Sequence, residues 1–118
     1  MNTDLNTPHV LASSLCNIVN QLQLSDTEIS MILNISLNEW LEIQQSSVLN
    51  PEGSAGQHAL KLIRLYHSLV QLNGGDLVNM RVFLNAKNHV LSAVPRELMC
   101  QAMGLNQVVE WVENLSTK

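Results

Sequence analysis

The chain has 118 residues, 46% of them apolar and 14% charged, and a net charge of −4. That balance fits one small globular domain, or two small subdomains on a shared core, and excludes a chain disordered throughout. No apolar run approaches the roughly 20 residues that a helical membrane span requires.

Aromatic residues are limited to Trp40, Trp111, Tyr66 and Phe83, so the core is expected to be aliphatic. The opening segment MNTDLNTPH has no basic run followed by an apolar stretch. A secretory signal is therefore not expected, and a cytoplasmic location is the expectation. Cys16 and Cys100 lie far apart on apolar-periodic segments and form no CxxC pair. They read as reduced, buried thiols. His9, His58, His67 and His89 show no metal-ligand spacing, so neither a metal nor a cofactor is expected. No Ser/His/Asp set, paired-carboxylate site or phosphate-cradling glycine loop is visible, and an enzyme is not expected.

The charges are unevenly placed. Residues 1–60 contain Asp4, Asp26, Glu28, Glu39, Glu42 and Glu52 and no Lys or Arg, a net −6. Residues 61–118 hold every basic residue and carry +2. Binding to phosphate backbones draws on Lys and Arg, so the front half is poorly suited to nucleic acid.

In chain order, the first predicted helix runs from Pro8 to Leu22. Thr7 suits the cap and Pro8 the first helical position. Leu11, Leu15, Ile18, Val19 and Leu22 recur at helical spacing. Ser25–Glu28 and Ser36–Glu39 are then two capping boxes, each with a hydroxyl and a carboxylate three residues apart. They predict short helices over 26–33 and 37–46, joined at Asn34, a residue that tolerates the left-handed turn conformation. This is the sequence form of a helix-turn-helix.

The segment LSDTEISMILNISLNEW resembles the Xre/Cro-like repressor family, with Ile29, Leu33, Ile35 and Trp40 at its core positions and Asn34 where Gly is usual. The resemblance implies base-reading positions at Leu37, Asn38, Glu39 and Glu42, with Gln44 and Gln45 nearby. Asn and Gln suit adenine, which makes Asn38, Gln44 and Gln45 the candidate DNA contacts. Two glutamates and no cation on that helix favour a scaffold over a DNA reader.

SSVLNPEGSAG, residues 46–56, reads as a linker. A long helix is predicted over 55–72, ended by Gly74-Gly75. Ala59, Leu62, Ile63, Tyr66, Leu69 and Val70 make its apolar face, widened by Leu65 and Leu72. Lys61, Arg64, Ser68 and Gln71 make its polar face. The apolar arc covers about half the wheel, wider than the ~100° of a simple surface helix. A central core helix and a homodimer seam both account for it.

Asp76 is placed to cap a helix over 77–84, with Leu77, Met80, Val82, Phe83 and Leu84 apolar. Asn85–Asn88 reads as a turn, closed by Val90 and Leu91. Pro95 starts a short helix whose buried side is Leu98, Met99, Ala102 and Met103, and Gly104 ends it. Asn106 is expected to cap the last helix, with Leu105, Val108, Val109, Trp111, Val112 and Leu115 on one face.

This ordered set resembles the toxin-binding domain of the MbcA/ParS/Xre antitoxin family. Phe83-Leu84 stands at the family's Trp-Leu, Asn88 and Leu91 at its turn, and Pro95 at its proline. Leu98-Met99 stands at its Leu pair, Gly104 at its glycine, and Val108 and Val112 in its last helix. Ser92 and Ala93 depart from the family's glycines. The resemblance covers about residues 10–115. It implies an all-α protein with a helix-turn-helix region at 1–50 and a helical toxin-binding domain at 51–118. It further implies an antitoxin that binds a RES-domain, NAD-consuming toxin and covers its active site, with operon autoregulation in some members.

The toxin-binding candidates are Arg81, Phe83, Asn85, Lys87, Asn88, Leu91, Arg96, Leu98, Val108, Trp111 and Leu115. Trp111 and Phe83 are the natural apolar anchors, and Arg81, Lys87 and Arg96 the cations for acidic groups on the toxin. The expected partners are the toxin and a second copy of the chain, with DNA the weaker alternative and no membrane.

Overall fold

The computed structural model describes residues 7–116, and residues 1–6 of the opening segment lie outside them. Among the described residues seven α-helices follow one another: α1 (Pro8–Leu22), α2 (Asp26–Leu33), α3 (Leu37–Ser46), α4 (Ser54–Asn73), α5 (Leu77–Asn85), α6 (Pro95–Met99) and α7 (Gly104–Ser116). The all-α expectation holds, and among the described residues the only β pairing is a single bridge between Asn88 and Ala93.

Local chemistry sets the first three helices. Pro8 starts α1, although the Thr7 side chain makes no capping bond. Ser25 Oγ accepts from Glu28 N at 3.1 Å, and Glu28 Oε1 accepts from Ser25 N at 2.8 Å. Ser36 and Glu39 repeat the arrangement at the start of α3. Asn34 closes α2 with φ +59°, as its side chain permits. His58 Nδ1–H donates to Leu33 O and ties this end of α2 to α4. Trp40 then joins α2 to α3: its ring is fully buried, and its Nε1–H donates to Asp26 Oδ1 at 2.9 Å.

The 46–56 segment packs inward instead of spacing two halves apart. Leu49 and Pro51 are buried, and Leu49 N donates to Pro8 O at 3.1 Å. Its composition marks a turn-rich path, but the apolar Leu49 draws that path back onto α1.

Helix α4 is the axis of the fold. It packs along α7 on one side and against α1, α2 and α5 on others. Two flanks are therefore covered, which is why Leu65 and even Ser68, assigned above to the polar face, are buried. Most of the wide apolar arc is accounted for within the chain, and Leu72 at its edge is 40% exposed. One apolar core contains residues from both halves, Leu11 and Trp40 alongside Leu62, Met80 and Val112. The radius of gyration is 13.7 Å, close to the ~13.5 Å of a single compact body of this length.

Two details at the back depart from expectation. The helix behind Pro95 ends at Met99, so Ala102 and Met103 lie on the turn beyond it. Met103 is 69% exposed rather than buried. Gly104 opens α7 instead of ending α6, and Asn106 lies inside α7, not at its cap. The left-handed residue at that junction is Met103, φ +65°.

Candidate partner-binding surface

The site is built where α5 and α7 present their side chains together. Asp76 Oδ1 accepts from Val78 N and Asn79 N and starts α5. Met80 and Leu84 then turn inward. That register sends Val78 and Val82 outward, 64% and 58% exposed, so Val82 is not a core residue as its apolar run suggested. Phe83 sits at the boundary. Its ring stacks on Trp111 of α7, with centroids 5.6 Å apart and planes inclined by 6°. Both rings are half-buried. Leu115, one helical turn beyond Trp111, is partly exposed.

The turn after α5 is held by its asparagines. Asn88 and Ala93 exchange backbone hydrogen bonds, and Asn88 Oδ1 accepts from Leu91 N at 3.0 Å. Asn85 Nδ2 donates to Arg81 O. Ser92 adopts φ +56°, a conformation that glycine takes without steric cost. Lys87 is exposed at this turn, Asn85 is exposed, and Asn88 and Leu91 are half-buried.

The remaining candidates are committed within the chain. Val108 is fully buried and Leu98 nearly so, because they face α4 and the α6–α7 junction; neither can contact a partner in this conformation. Arg81 Nε donates to Gln21 O at 2.8 Å, and the Tyr66 hydroxyl donates to Gln21 Oε1, so α1, α4 and α5 meet at Gln21.

Arg96 is a structural clamp. It makes a two-pronged contact with Glu28, Nε to Oε2 at 2.6 Å and Nη2 to Oε1 at 2.7 Å. Nη2 also donates to Gln23 O, and Nη1 to Asn85 Oδ1 at 3.3 Å. Arg96, a partner-binding candidate, thus has its fork filled by acceptors of its own chain. Sequence offered no sign of Glu28 as its mate beyond the carboxylate's capping role, since 68 positions separate them.

The Arg96 guanidinium is the largest influence on Glu28. It lowers the carboxyl from 4.5 to about 2, with the Ser25 bonds helping and burial opposing. The pair's side chains are only 18% and 26% exposed, so solvent screens it partly. A carboxyl held below its ordinary pKa stabilises the fold above that ordinary value, and the contribution is lost as pH falls toward 2. We expect about 2 kcal/mol to disappear between about pH 5 and pH 2. Urea midpoints of the Arg96→Met variant should show that segment of the acid dependence flattened, alongside lower stability at neutral pH.

The thiols of Cys16 and Cys100 are pushed up, chiefly by burial, which disfavours reactive thiolate at neutral pH. No group of three or more His, Cys, Asp or Glu among the described residues could hold a metal ion.

The DNA candidates Asn38, Gln44 and Gln45 all lie exposed on α3. The same face exposes Leu37 and Leu41, and Glu42 stands beside it. Such a surface offers a phosphate backbone no cation.

No protein-family model matches this chain, and no curated protein matches it significantly.

Proposed function

We propose that the protein is a helical binding module that acts as an antitoxin: it neutralises a partner enzyme by lying against it through the α5–α7 surface. The observation that carries this reading is the Phe83–Trp111 stack, left half open between two helices. Large aromatics in that setting supply much of the binding energy at interfaces. Exposed Val82 and partly exposed Leu115 extend the apolar area, and Lys87 is an exposed cation on the turn that follows α5. The ordered resemblance at Phe83, Asn88, Leu91, Pro95 and Gly104 supports a RES-domain, NAD-consuming toxin as the partner. The chemistry belongs to that enzyme, and inhibition follows from covering its pocket.

The α2–α3 pair serves in this reading as a helix-turn-helix scaffold. Its acidic, leucine-bearing α3 surface weighs against DNA binding by the chain alone.

The test is co-expression with a RES-domain enzyme, the product of the adjacent gene being the first candidate, followed by co-purification, growth rescue and cellular NAD level. A stable complex and preserved NAD are expected. Trp111→Ala should weaken the complex by about 100-fold, and Leu115→Glu, at the exposed edge, should weaken it while leaving the melting temperature nearly unchanged. Asn38→Ala should have no effect. Absence of both a complex and growth rescue would remove the antitoxin reading. Tight, sequence-specific promoter binding by the isolated chain at physiological salt would favour a transcriptional regulator instead.

A further inference from the structure

We propose that the groove between α3 and the segment leading into α4 is a second docking site, and that its occupant is a cationic amphipathic helix of another protein. The groove has a volume of about 500 Å³, within the roughly 300–1,000 Å³ of clefts that hold ligands. Its apolar lining is Ile35, Ile43, Val48, Leu49 and Ala55, and Glu39 and Glu42 also line it. Val48 is 52% exposed although it neighbours the buried Leu49, so an apolar side chain stands open at this site. With about 100° between successive helical residues, Glu39, Glu42 and Ile43 cluster on one side of α3. Asn38, Leu41 and Gln45 centre about 120° away. The groove shares Glu39 and Glu42 with the base-reading positions that the resemblance implies on α3, and it is built from different helices than the α5–α7 surface.

Charge selects the occupant. Residues 1–60 contain no Lys or Arg, so neither α3 nor the 46–56 segment supplies a cation to these carboxylates. Glu39 is engaged by the Ser36 backbone N–H through one oxygen. Glu42 is exposed and forms no ion pair within the described residues. A nucleic acid would bring more negative charge to the site. A second copy docked groove to groove would set the same carboxylates against each other. A helix with an apolar stripe and flanking Lys or Arg satisfies both features: its aliphatic side chains cover Val48 and Ile43, and its cations reach Glu42 and Glu39.

The probe is a synthetic helix of about 14 residues, with Leu at i, i+3, i+4 and i+7 and Lys elsewhere, titrated into the full chain by calorimetry and amide NMR. Shifts should concentrate at residues 35–49. Glu42→Gln and Val48→Ser should each weaken binding about tenfold, the effect of losing roughly 1.4 kcal/mol. Glu110→Gln on α7 and Trp111→Ala should leave it unchanged, which separates this site from the antitoxin surface. The proposal fails if Glu110→Gln costs as much as Glu42→Gln, or if a Ser-for-Leu peptide binds equally well. It fails also if the peptide does not bind. A dimer by light scattering that Val48→Asp dissolves would assign the groove to a second copy and overturn the choice of occupant.

Discussion

Replacing Trp40 with alanine is expected to lower the unfolding free energy by about 4 kcal/mol. The ring is fully buried and is the largest such side chain in the core. Its removal forfeits the burial of an indole and opens a cavity that two short, capped helices cannot close by sliding. Asp26 Oδ1 also loses the indole N–H. Stabilities of small domains run to about 5–15 kcal/mol, so the variant should sit near its folding threshold. Denaturant titration followed by circular dichroism measures this directly. Trp40→Phe separates the contributions: it keeps most of the packing and drops the hydrogen bond, and should cost about 1–2 kcal/mol. If Trp40→Ala costs under 1 kcal/mol, the α2–α3 packing described above is wrong.

Helix boundaries at the front were legible because their determinants are local. Pro8, the Ser25–Glu28 and Ser36–Glu39 pairs, and Asn34 act within four residues of themselves, and α1, α2 and α3 begin and end where they indicate. Which face a helix buries is a different question, since it depends on neighbours that arrive later. Val82 and Leu84 are equally apolar, yet only Leu84 is buried, because α4, α6 and α1 approach α5 from one side. Ser68 is polar and its place on the helical wheel points to water, yet α1 and α7 both flank α4 and Ser68 is buried.

The candidate surface divides in the same way. Phe83 and Trp111 stood out individually as scarce aromatics, but their stacking is a tertiary fact between helices 28 residues apart. Arg96 showed a cation suited to a partner, and only the fold reveals that Glu28, Gln23 and Asn85 occupy it. The lack of Lys and Arg in residues 1–60 is legible from the sequence alone, and it leaves the α3 surface with exposed Glu39 and Glu42 and no cation of its own.

Gly104→Ala is expected to destabilise the fold by about 3 kcal/mol or more, a large cost for one methyl group. The glycine's φ does not require it, since Met103 takes the left-handed turn of the junction. Space does. A Cβ at position 104 would lie 1.7 Å from Leu98 O, and that carbonyl is pinned by accepting from Gln101 N at 3.0 Å. Either α7 moves off α6 or the α6 turn opens, and both disturb Leu98, Met99 and Val108 in the core. Gly74 is the control. It has φ +59° and nothing within 4 Å of its would-be Cβ, so only conformation favours glycine there. Asn, which tolerates that region, should replace Gly74 at a cost of about 1 kcal/mol or less. Thermal melts of the two variants should differ by about 10 °C, with Gly104→Ala the lower. Equal melting temperatures would mean that the α6–α7 junction relaxes freely, and that Gly104 is only a helix punctuation mark after all.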